Sequence, residues 1–134
     1  MLHIRAYIDG AAKGNPGYAG AGILLIDEKD NAELMRLSVP LGKQTNNIAE
    51  YSALIIALEK SLELGAERID IFSDSQLLVR QMTGEYKIKN QAIAKIAMKA
   101  YNLLARFEKY GFKHIPREQN KIADHLASLA AAAQ

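Results

Sequence analysis

Leu2, Ile4, Ala6 and Ile8 alternate with His3, Arg5, Tyr7 and Asp9, the period of two of a strand whose successive side chains point to opposite faces. The alternation predicts a strand that ends on Asp9, with Asp9 and Tyr7 on one face. Gly10, Gly14, Pro16 and Gly17 follow in quick succession. They are expected to stop the element and let the backbone pass close to a bulky neighbour, either a phosphate or a second strand. Gly20 to Asp27 is a continuous apolar run closed by Glu28-Lys29-Asp30-Asn31, and Ala32 to Pro40 alternates again. Three strands joined by short turns predict an antiparallel meander.

From Thr45 the period lengthens: Ile48, Tyr51, Leu54, Ile55, Leu58 and Leu62 recur every three or four residues up to Gly65, which predicts a helix of about five turns. Thr45, Asn46 and Asn47 suit its start as caps, and Glu50 falls on the flank of its apolar face. Arg68 to Ser75 reads as a strand with Asp74 near its end, and Gln76 to Met82 as a short helix. Ile93, Ile96, Ala97, Ala100, Leu103, Leu104 and Phe107 form a further helical stripe ended by Gly111. Phe112 to Ile115 is a short strand before Pro116, and Asn120 to Ala133 a closing helix with Ile122, Leu126, Leu129, Ala130 and Ala133 on one face. The predicted order is βββαβααβα, an α/β (α+β) chain without repeats or linker, and residues 1–134 are expected to form one domain.

Composition narrows the chemistry. The absence of cysteine removes disulfides and thiolate metal sites and agrees with a reducing cytoplasm. No apolar run reaches bilayer length and none resembles a leader, so a soluble cytoplasmic protein with no membrane association is expected. A formal charge of +2 permits nucleic acid as partner without indicating it, and Lys87 to Lys89 and Lys109 to Lys113 read as ordinary solvated surface.

Asp9 and Asp74 each end an apolar strand, and in open α/β sheets functional groups gather beyond the carboxyl ends of the strands. Glu50 and Asp124, near the starts of two helices, would approach the same end. Asp124 fits least well on periodicity, since it lies away from Ile122, Leu126 and Leu129 and only flanks an alanine side of Ala123, Ala127 and Ala131. Each acid alone is also accounted for as a turn or first-turn residue. Together they would repel, a like-charge pair at ~4 Å costing about 4 kcal/mol at an effective dielectric of ~20. Such a set must bind protons or cations, and all-oxygen donors favour Mg²⁺ or Mn²⁺ over zinc.

Asp9-Gly10-Ala11-Ala12-Lys13-Gly14-Asn15-Pro16-Gly17, Thr45-Asn46-Asn47-Ile48-Ala49-Glu50, Ser73-Asp74-Ser75-Gln76 and Asn120-Lys121-Ile122-Ala123-Asp124 resemble the motifs of type 1 ribonuclease H, in order and over almost the whole chain. The resemblance implies an RNase H-like fold, a five-stranded mixed sheet of three antiparallel then two parallel strands flanked by helices. It implies a metal-dependent endonuclease that hydrolyses the RNA strand of RNA/DNA hybrids with two Mg²⁺ (or Mn²⁺), leaving 5′-phosphate and 3′-hydroxyl. Asp9, Glu50, Asp74 and Asp124 then match the metal-binding, catalytic quartet. Gly10, Asn15, Asn46, Asn47 and Gln76 match substrate contacts, and Thr45 a contact to a DNA-strand phosphate.

The sequence departs from many family members in two places. Only Gly84 to Asn90 stands where they carry a basic extra helix, and His114 to Asn120 takes the compact form of a loop that elsewhere holds an auxiliary histidine. Arg117, always charged and forked, is expected to move product phosphate, and His114 either assists or is an edge-strand histidine. The competing reading is a module that binds hybrid or double-stranded nucleic acid, double-stranded RNA included, without efficient cutting. A nucleotide-binding protein is excluded, because no Gly-Lys-Ser/Thr and no helix follows the glycine turn. A monomer is expected.

Overall fold

A computed structural model describes residues 1–134. Five strands form one sheet in the order β3-β2-β1-β4-β5: β1 (Leu2–Gly14), β2 (Gly17–Asp27), β3 (Glu33–Gln44), β4 (Ala66–Ser73) and β5 (Lys109–His114). β1, β2 and β3 pair antiparallel, and β4 pairs parallel to both β1 and β5. Helices α1 (Asn46–Glu63), α2 (Gln76–Met82), α3 (Gln91–Leu104) and α4 (Lys121–Ala132) complete the predicted order, with one 3₁₀ turn, Arg117–Gln119, before α4.

Ile4, Ala6 and Ile8 of β1, Ile23 and Leu25 of β2 and Ile69 and Ile71 of β4 pack against Tyr51, Leu54 and Leu58 of α1. Ile93, Ala97 and Ala100 of α3 extend the same core. Each fully buried aliphatic side chain contributes roughly 1.5–3 kcal/mol of transfer free energy. The Tyr51 hydroxyl donates to Gln81 Oε1 at 2.9 Å and so joins α1 to α2 inside this core. Thr45, Ser75 and Asn90 cap α1, α2 and α3, each accepting from the backbone N–H three residues on.

Four expectations are corrected. β1 does not stop at Asp9 but continues to Gly14, because its pairing with β2 runs on from Asp9↔Gly22 to Gly14↔Gly17. The bulky neighbour of Gly10 is neither phosphate nor strand but the backbone of α1: a Cβ there would lie 2.3 Å from Ala49 C and Glu50 N. Gly111 does not end α3, which stops at Leu104; it lies within β5, whose pairing with β4 begins at Lys109.

The buried face of α4 is the alanine side. Ala123, Ala127, Ala130 and Ala131 are buried with Leu126, while Ile122 and Leu129 are 41% and 49% exposed. Close approach to β2 is the reason, since a Cβ on Gly22 would sit 2.0 Å from Ala123 O and one on Gly20 2.4 Å from Ala127 O. Only small side chains fit an interface that tight. Asp124, placed beside the alanines, is therefore carried to the sheet.

Candidate active site

β1 and β4 stay paired as far as Ile8↔Ser73, so Asp9 and Asp74 are the next residues along each strand, where the two chains part. The Ser73 hydroxyl oxygen accepts from Ser75 N–H at 3.0 Å and shapes the turn that carries Asp74. Gly10 lets α1 touch β1 at Glu50, the following residue on β1 having no side chain to hold the helix off. As a result one carboxylate oxygen from each of Asp9, Glu50 and Asp74 lies within 4.8 Å of the other two. The three line a cleft of about 450 Å³ with Asn46, Ser75, Arg117 and Asp124. Asp124 thus reaches the same cleft, in the first turn of α4, but outside that trio.

The electrostatics match the geometry. Asp9 is only 5% exposed, and burial, reinforced by the neighbouring Asp124 and Asp74 carboxylates, pushes its carboxyl up to about 7. Burial and the Asp9 charge also hold Glu50 well above the usual carboxylate range. Its Oε2 is buried with no hydrogen-bond partner. Asp74 is raised as well, by burial and then by Asp124, with the Arg117 charge opposing. An oxygen-donor trio with an unpartnered buried oxygen fits a hard divalent cation, which would relieve both repulsion and desolvation.

Arg117 Nη2 lies 3.7 Å from Asp124 Oδ1, and its side chain is 78% exposed. It is the one cation at the mouth of the cleft. His114 ends β5 as an exposed edge-strand residue; its Nε2 is 3.3 Å from the backbone oxygen of Asp74, not from the carboxylate.

The amides beside α1 are already half engaged. Asn15 Oδ1 accepts from Asn46 N–H at 3.0 Å, Asn46 Oδ1 accepts from Ala12 N–H at 2.9 Å, and Thr45 Oγ1 accepts from Ile48 N–H at 3.2 Å. These bonds use the oxygens and leave the two amide NH₂ groups and the hydroxyl hydrogen to donate outward. Asn47 is half-buried beside them, and Gln76 opens α2 at an exposed position next to Ser75.

Asn120, read from the sequence as the start of the closing helix, makes no side-chain capping bond. Its side chain is 1% exposed and Nδ2 donates to Ile8 O at 2.8 Å. The start of α4 is thereby tied to β1 one residue before Asp9. No local sequence signal separates this use of an asparagine from a cap.

A mixed sheet with carboxylates gathered where two parallel strands part, fed by the N-terminal turns of two helices, defines the class: an α/β fold built around a carboxylate cluster. A family model described as reverse transcriptase-like matches residues 7–130. Ribonuclease HI of Halobacterium salinarum is 38% identical over 95% of this chain and 63% of its own length. The crystal structure of RNase H1 from that archaeon superposes with a TM-score of 0.95 at 36% identity, covering 98% of this chain and 99% of the other. LC11-RNase H1, solved in complex with RNA/DNA hybrid, gives 0.90 at 40% identity over 97% of each chain. The chain belongs to the type 1 ribonuclease H family. It spans 63% of the length of the Halobacterium relative and 35% of the length of mycobacterial relatives to which it is 38% identical.

Proposed function

We propose that this chain is an endonuclease that hydrolyses the RNA strand of RNA/DNA hybrids and leaves 5′-phosphate and 3′-hydroxyl ends. The observation that carries the reading is the Asp9, Glu50 and Asp74 trio, oxygens within 4.8 Å of one another and one of them buried without a partner. Two Mg²⁺ or Mn²⁺ ions, when bound, supply a water acidic enough to attack phosphorus and positive charge for the departing 3′ oxygen. Asp9, Glu50 and Asp74 would hold one ion, and Asp124, beside Asp9 in the same cleft, would help to hold the other. Asn120 keeps α4, and Asp124 with it, in register with β1. The outward amide donors of Asn15 and Asn46 meet base edges and 2′-hydroxyls in the wide minor groove of an A-like duplex. The Thr45 hydroxyl takes a DNA-strand phosphate. Arg117 reaches over the cleft from an exposed turn and draws the product phosphate away.

The test is cleavage of an end-labelled RNA/DNA hybrid with Mg²⁺, with Mn²⁺ and with chelator, beside RNA/RNA and DNA/DNA duplexes. Metal-dependent cutting confined to the RNA strand of the hybrid is the expected result. Binding of hybrid or double-stranded RNA with no cutting under either metal overturns it in favour of a binding module.

A further inference from the structure

Four of the six arginines, Arg5, Arg36, Arg68 and Arg117, lie within 4.0 Å of a carboxylate. Arg106 shares a groove with Glu59 and Glu63 beyond the end of α3. Arg80 has no carboxylate partner and yet is held in place. With the Gln76 amide oxygen turned toward it, the orientation that satisfies the donors, that oxygen accepts from Arg80 Nη2 at 2.9 Å and from Nε at 3.2 Å. The guanidinium also lies 5.4 Å from the centroid of the Tyr86 ring. Tyr86 is pinned in turn, its N–H donating to Arg80 O at 3.0 Å. Ile88, two residues on, packs against the core. An arginine braced by an amide and an aromatic ring, with no anion of its own, has little side-chain freedom left to lose on meeting one.

Its position supplies the anion. Gln76 is the first residue of α2 and Arg80 lies about one turn further along the same side, about 6 Å by the helical rise. Ser75, immediately before Gln76, lines the acidic cleft. Gln76 is exposed and Arg80 half-buried, so a polar strip continues from the acids through Ser75 and Gln76 to Arg80. A polyanion seated over the acids continues along that strip. We propose that Arg80, braced by Gln76 and Tyr86, is a contact for a backbone phosphate of the bound hybrid flanking the cleft. The proposal rests on the hybrid-cleaving reading above. It makes the Gly84-to-Asn90 connection a structural brace for one strong phosphate contact, where a dense basic surface is absent.

The experiment measures hybrid cleavage across salt concentrations for wild type, Arg80→Ala, Arg80→Lys and Tyr86→Ala, with Lys99→Ala as a surface control. Hybrid binding by anisotropy in Ca²⁺ runs alongside. Arg80→Ala is expected to raise KM about tenfold near 0.1 M salt with kcat unchanged, and to reduce the slope of log affinity against log salt by about 1, one phosphate contact fewer. Arg80→Lys and Tyr86→Ala fall between, and Lys99→Ala matches wild type. An Arg80→Ala salt slope equal to wild type, or a loss in kcat alone, overturns the contact while leaving the nuclease reading intact. If wild type binds but does not cut and Arg80→Ala still flattens the slope, the nuclease reading falls and the contact stands.

Discussion

The same two strands carry opposite kinds of electrostatics at their two ends. Near the start of β1 and β4 every side-chain charge on the Asp9 face finds a partner: His3 Nε2 lies 2.5 Å from Asp70 Oδ2, Arg68 3.7 Å from the same oxygen, and Arg5 Nε 2.5 Å from Glu28. Arg5 also donates to the Tyr7 hydroxyl at 2.9 Å and to Asn31 Oδ1. Tyr7 stacks on Phe72 at 5.0 Å, one residue before the strand pairing ends at Ile8↔Ser73. Immediately beyond, Asp9 and Asp74 meet Glu50 and Asp124 with only the exposed Arg117 to answer four acids. One end is largely paired within itself, with only Arg5 Nε and Arg68 Nε left without a hydrogen bond. The other is left incomplete, and the same strand spacing that lets charges pair at one end forces like charges together at the other.

Breaking the incomplete end has the largest effect. Asp9→Asn should lower metal-dependent hybrid cleavage by at least about 10³-fold, roughly 4 kcal/mol of transition-state stabilisation, measured by single-turnover assay. Closing the space that admits α4 comes next. Gly22→Val places a side chain where a Cβ already meets Ala123 O at 2.0 Å, and is expected to cost about 3 kcal/mol or more in urea unfolding.

The incomplete end also predicts a pH dependence. The Asp9 carboxyl is raised from 3.8 to about 7 in the folded chain. Its contribution to metal-free stability is therefore fully present below the unfolded value and lost as pH rises through about 7. With chelator present, the melting temperature should fall by several degrees more between pH 5 and pH 8 in wild type than in Asp9→Asn, and saturating Mg²⁺ should recover it. Equal pH profiles for the two proteins would show that the carboxylates do not strain the fold. The paired end gives the smallest effect. His3→Ala should cost about 1 kcal/mol of stability, the scale of a partly exposed pair, with no change in cleavage rate.

Much of the fold was readable from periodicity, because strand and helix patterns here are carried by aliphatic residues in clean registers. β2, α1 and α3 form where Ile23 to Leu25, Leu54 to Leu58 and Ile93 to Ala100 demand burial. Where reading failed, the decisive residue was small. Gly10 reads as a strand breaker and Gly20 and Gly22 as members of an apolar run, and only the packing of α1 and α4 against the sheet shows all three as points of contact between backbones. Ile122 and Leu129 suggested the wrong buried face for α4, since hydrophobicity ranks them above alanine while the space available admits only alanine.

The sequence by itself determined the order of elements, the absence of thiolate metal ligands and the four acids that motif and strand end pick out. Tertiary structure alone decided that Asp9, Glu50 and Asp74 converge to within 4.8 Å, that Asp124 follows α4 into the same cleft, and that Asn120 ties that helix to β1. The reason is physical: periodicity reports what each residue needs from its immediate surroundings, whereas convergence depends on how closely distant backbones approach. In this chain that approach is governed by glycines and alanines, whose own preferences reveal little of what will be placed against them.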